Sequence, residues 1–226
     1  AAALVANPGM FNSLFNQQMK ATRFLLIPVL ALASTLACAA SDWSEKSALA
    51  ALAVTAHDRA EACQALAVIG GPKSVPVLAS LLDDRQLAAY ARTALEVIDH
   101  PSAGKALLDA LPNLEGQLLI GVVTSIGARG DIKAVPALQA LVADSKRGAA
   151  KAALTALARI GGGQSFTTIV TTMNEGPEEL RIPAAHAVLL AADILAKRGK
   201  KNGAERLLKN IHKADLPEHI KQAANS

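Results

Sequence analysis

Between residues 133 and 162, apolar side chains recur at the spacing of two helices separated by a polar break. Val135, Leu138, Leu141 and Val142 form one stripe at helical period. Pro136 lies in the first turn, where its missing N–H costs no hydrogen bond and its fixed φ suits a helix. Asp144 and the Ser-Lys-Arg that follows supply turn and N-cap chemistry. The second half carries Ala149, Ala153, Leu157 and Ile160 on one face, and Gly161 and Gly162 end it with the left-handed backbone a helix terminator uses. Helices of about 10 to 13 residues do not persist alone in water, so each needs a neighbour.

The same pattern fills most of the chain. KSVPVLASLLDD from residue 73 matches KAVPALQALVAD from residue 133 almost position for position, and SAGKALLDAL from residue 102 is a degraded version. For the second helix, CQALAVIGG, RTALEVIDH, VTSIGARG and LTALARIGG align on Ile69, Ile98, Ile126 and Ile160, which are 29, 28 and 34 positions apart. Three residues before them stand Leu66, Leu95, Val123 and Leu157, so an apolar pair marks every copy. A period near 30 with two helices per copy predicts an all-α fold, an α-solenoid of stacked antiparallel helix pairs that buries a continuous core.

These residues resemble a HEAT-type (armadillo-like) repeat, in the short HEAT-like form first described in phycobilisome lyases. The resemblance runs over residues 42–198 and is carried best by 73–100 and 133–162. Arg59 stands where that pattern places an arginine early in the second helix; Ala88/Ala89 and Ala150/Lys151 occupy the equivalent positions elsewhere. The resemblance implies a superhelix whose second helices line a concave face.

Composition narrows the picture. The chain is 51% apolar and 3% aromatic, which suits an alanine-rich helical core and not a β-sandwich or an aromatic-lined pocket. The net charge of +4 is unevenly placed: residues 40–194 carry 13 basic and 16 acidic side chains, residues 195–226 carry 8 and 3. The basic C-terminal end is therefore the one electrostatic feature of the chain.

Residues 1–18 show neither repeat nor helical period and are expected to be a disordered upstream segment. From Met19, a short basic start, an apolar run and the small-x-small site Ala37-Cys38-Ala39 have the layout of a secretory signal peptide over 19–39, cleaved near Ala39. That predicts a periplasmic or secreted protein; lipid anchoring through Cys38 is the alternative, although Thr35 stands where a lipobox has leucine. Residues 40–226 are then the HEAT-like solenoid with basic capping helices. Leu49, Leu52 and Ala53 are expected inside its first helix, and Asp58 is expected to open the next. A long apolar helix up to Arg198 is expected to start late or kink at Pro183, and two amphipathic helices, 204–213 and 216–224, close the stack.

The chain carries no motif of a known reactive or metal site. CxxC, CxxCH and HExxH are absent, and His57, His100, His186, His212 and His219 are scattered, so no metal or other cofactor is expected. Cys63 reads as core, there is no GxSxG, and Gly161-Gly162-Gly163 lacks the preceding strand and GK[ST] of a phosphate loop. No catalytic residue is assigned, and lyase activity finds no side chain to carry it.

What remains is surface. With Leu66 and Ile69 buried, the outward row of the second helices is Glu61, Gln64, Val68; Tyr90, Thr93, Val97; Leu118, Gly121, Ser125; Ala152, Thr155, Arg159. On the concave face that the resemblance implies, Glu61, Gln64, Tyr90, Thr93, Thr155 and Arg159 are the candidate binding residues. Their mild, partly apolar character suits a protein or peptide. Nucleic acid would need a basic stripe with stacking aromatics, and Tyr90 stands alone. The basic end offers weak contact to an anionic partner or membrane surface, with ordinary helix-dipole compensation as its other reading. The expectation is an exported, non-catalytic scaffold for protein–protein interaction in the cell envelope. The alternative is a lyase-type or chaperone-like accessory subunit acting on a partner that bears a prosthetic group.

Overall fold

In the computed structural model, residues 44–53, 56–144 and 148–225 are described. The upstream segment, the signal-peptide stretch and Ser145 to Arg147 lie outside the described residues. Among those described there are twelve α-helices, two 3₁₀ turns and no strand. The helices are α1 (Glu45–Ala51), α2 (Ala56–Ile69), α3 (Val75–Ala79), α4 (Ala88–Val97), α5 (Pro101–Ala110), α6 (Gly116–Arg129), α7 (Val135–Ala143), α8 (Ala150–Ile160), α9 (Gly163–Glu175), α10 (Glu178–Lys197), α11 (Lys201–Lys213) and α12 (Glu218–Ala223).

The packing follows chain order. Helix α2 lies against α4, α4 against α6, α6 against α8, and α8 against α10. Helices α3, α5, α7 and α9 pack on α4, α6, α8 and α10 respectively, and α11 packs on α10. The apolar residues predicted to mark each copy do the burying: Leu66, Leu95, Val123 and Leu157 are all 0% exposed. Of the isoleucines three positions on, Ile98 and Ile126 are buried, whereas Ile69 and Ile160 at their helix ends are half-buried. The stripe Val135, Leu138, Leu141 and Val142 is buried as its period required.

Several elements differ from expectation for local reasons. Helix α3 is a single short turn and a half, because the chain after it closes three-residue turns instead: Leu81 donates to Leu78, Leu82 to Ala79 and Asp84 to Leu81. The Ser80 hydroxyl also takes the Val77 carbonyl at 2.8 Å, competing with the helix ladder. Leu81 and Leu82 are nevertheless buried, so the apolar pattern is kept without the helix. Helix α2 opens at Ala56, two residues before Asp58. In the first pair, Ala48 and Leu52 face inward while Ala53 is exposed and Leu49 half-buried.

Helix α10 starts at Glu178 and runs unbroken past Pro183. The proline is its sixth residue and removes one bond, the one its N–H would make to the Glu179 carbonyl, while the helix continues beyond it. Helix α11 begins three residues earlier than its apolar period indicates. Gly161 and Gly162 do end α8 at positive φ, 75° and 89°, but with extended ψ and not the left-handed helical geometry expected.

Candidate functional site

The six candidate binding residues are all exposed: Glu61 and Gln64 on α2, Tyr90 and Thr93 on α4, Thr155 and Arg159 on α8. Because α2 and α4 are adjacent, the rows Glu61-Gln64-Val68 and Tyr90-Thr93-Val97 run on neighbouring helices. Val68 is 75% and Val97 57% exposed, and Tyr90, two turns before Val97 on α4, is 39% exposed. The hydroxyls of Thr93 and Thr155 are engaged by their own helices, donating to the carbonyls of Ala89 (2.8 Å) and Lys151 (3.2 Å).

The row does not continue evenly across α6. Ser125, expected to face outward, is fully buried. Its hydroxyl donates to Glu96 Oε1 at 2.5 Å and accepts from Arg92 Nη1 at 3.4 Å, while Arg92 and Glu96 pair at 3.8 Å along α4. Arg92 lies over Gly121, where an added Cβ would meet its Nε at 3.0 Å. A polar link between α4 and α6 therefore interrupts the expected row of outward residues. Periodicity alone cannot find it, since the partners are 29 and 33 residues apart.

Arginines recur in such links. Arg129, the last residue of α6, donates through Nη1 to the carbonyls of Leu95 (2.6 Å), Glu96 (3.0 Å) and Ile98 (2.9 Å), and through Nη2 to that of His100 (3.3 Å). It thereby satisfies carbonyls that the end of α4 leaves open. Arg181 does the same for α9, donating to Met173 and Asn174. Arg59, the one arginine of the repeat pattern, reaches Asp84 at 4.0 Å. At the first pair Glu45 Oε1 accepts from Gly71 N (3.0 Å) and the buried Ser74 hydroxyl (2.7 Å), and these bonds hold its carboxyl below the usual range.

Burial pushes the Cys63 thiol up to about 11, against a smaller opposing pull from Arg59, so it is not a nucleophile near neutral pH. Among the described residues, no three of His, Cys, Asp and Glu gather where they could hold a metal ion. No helix among them is long and apolar enough to cross a membrane.

A cavity of about 700 Å³ lies where α8, α10 and α11 meet, with Gly162 and Phe166 at the start of α9 also lining it. Arg159, Arg198, Lys200, Lys201 and Arg206 line it together, with no carboxylate among the lining residues. Phe166, Ile194, Leu195 and Leu207 supply an apolar wall. Arg159 thus belongs with the basic end of the chain and not with Tyr90 and Thr93. The clustering of basic residues after position 195 signals part of this site; nothing local to Arg159 does.

Compared with family models and with curated proteins, the chain finds no match.

Proposed function

We propose that this chain is a HEAT-like α-solenoid that acts as a non-catalytic scaffold, presenting the outer face of α2 and α4 to a protein partner. The observation that carries the reading is the exposure of Val68 and Val97 on two adjacent helices, with Glu61, Gln64 and Tyr90 exposed earlier on the same faces. Exposed valines sharing a face with an aromatic ring and polar side chains have the composition of a modest protein interface. The order of packing, each second helix on the one before and the one after, supports the solenoid. The signal-peptide layout of residues 19–39 supports export to the envelope.

The test is site-directed photocrosslinking in intact cells. A crosslinker at Tyr90 or Thr93 should capture a defined protein that one at Lys105, on the exposed side of α5, does not. Identical products from both positions, or none from Tyr90 and Thr93, would remove this face as the interface.

A further inference from the structure

We propose that the cavity between α8, α10 and α11 is a binding site for a phosphate monoester carrying a short apolar group. This site is separate from the α2–α4 face and does not depend on what that face binds.

Charge comes first. Five cationic residues line one cavity without a carboxylate among its lining residues. Among the described residues, the side chains of Arg159, Arg198, Lys200 and Lys201 make no hydrogen bond or ion pair. Arg206 spends only its Nε, on the carbonyl of Asn202 at 3.3 Å. Dipole compensation does not account for the set. Arg159 and Arg198 do lie at the C-terminal ends of α8 and α10, where a cation is favoured. Lys200 and Lys201, however, stand at the start of α11, whose first turn holds no acidic residue. There the helix already presents roughly half a positive charge, so two lysines repel it. The helix ends roughly cancel, the C-terminal ends of α8 and α10 against the starts of α9 and α11, and leave the five cations unbalanced. The cavity is an unbalanced positive site that an anion would relieve.

The kind of anion follows from the side chains. Three of the five are arginines, whose planar forks match the oxygens of phosphate in paired bonds. A dianion also answers more of the charge than a carboxylate does. The apolar wall of Phe166, Ile194, Leu195 and Leu207 is wasted on free phosphate and suits a few carbons of alkyl or ring attached to it. A volume of about 700 Å³ accommodates a ligand of that size. The shared chemistry has two natural sources, a lipid headgroup and a soluble phosphate ester.

Calorimetric titration of the whole protein with octyl phosphate, inorganic phosphate and octyl glucoside separates the contributions. Octyl phosphate is expected to bind at least tenfold more tightly than inorganic phosphate, and octyl glucoside not measurably. The double variant R198A/K201A should weaken octyl phosphate at least tenfold, while K209A, an exposed cation of α11 outside the cavity, should change it less than twofold. Both replaced side chains are exposed and unpaired, and losing Arg198 from the end of α10 is offset by removing Lys201 from the start of α11, so the melting temperature of the unliganded double variant should change little. Vesicles containing phosphatidic acid distinguish the sources: retention that R198A/K201A abolishes identifies a lipid headgroup, and octyl phosphate binding without retention identifies a soluble ester. The proposal is overturned if octyl glucoside binds as well as octyl phosphate, if K209A weakens binding as much as the double variant, or if none of the three compounds binds at millimolar concentration.

Discussion

Helix α6 touches α4 on one side and α8 on the other, and the two seams are closed by different means. Toward α4 it offers Ser125 and Arg129, which reach a carboxylate and a row of carbonyls. Toward α8 it offers Gly127, where an added Cβ would stand 2.7 Å from Ala156 Cα and 2.8 Å from its Cβ. One seam is tied by charge-assisted hydrogen bonds. The other is pressed together until only a hydrogen atom fits. A repeated helix pair thus specifies that neighbours stack, while the chemistry of each junction is set separately by one or two residues.

The tight seam should be the more fragile to substitution. Gly127→Val puts two extra methyl groups and a Cβ into space that Ala156 fills, and both residues are in helix backbones that cannot easily part. It is expected to cost about 3 kcal/mol in urea unfolding. A loss under about 1 kcal/mol would mean that α6 and α8 slide freely past each other and that the contact is not specific.

The polar seam should lose less. Arg129→Ala leaves the carbonyls of Leu95, Glu96 and Ile98 without this donor, at an expected cost of about 2 kcal/mol. Arg129→Lys should recover less than half of that, because an ammonium cannot reproduce the fork. Full recovery by lysine would show that charge at the end of α4, and not the bonding geometry, holds the junction.

The smallest effect belongs to Glu45, an acid-sensitive version of the same kind of tie. Its carboxyl titrates below the ordinary value of 4.5, chiefly through the Ser74 hydroxyl and the Gly71 amide. A depressed acid stabilises the fold above its unfolded value and loses that contribution as pH falls through its folded value. The difference in urea midpoint between the native chain and Glu45→Gln should therefore be present at pH 7 and be lost at pH values below the depressed folded value, itself under 4.5. A difference that persists into that range would assign it to packing of the side chain.

The contrast between the seams also explains what the amino-acid order discloses. Leu66, Leu95, Val123 and Leu157 were legible because burial on a helix imposes a period, and a period is a local signal. Helix α3 was legible as a buried apolar segment but not as a run of three-residue turns, since Leu78, Leu81 and Leu82 satisfy both. Ser125 was misplaced because a small hydroxyl residue looks like surface until Glu96 and Arg92 are brought beside it. The candidate face on α2 and α4 follows from the same periodicity. The cavity at the other end does not, because it joins Arg159 to side chains some forty residues later through the packing of α8 on α10 and of α10 on α11.

Hydrogen exchange measured by mass spectrometry on Arg129→Ala tests most directly whether the helix pairs form a row joined only by neighbouring seams. Cutting the α4–α6 seam should speed exchange in α1 through α5 while α8, α10 and α11 keep the protection they have in the native chain. Equal loss of protection in every helix would mean a single closed core, and would contradict the stacked arrangement together with the interface proposed on it.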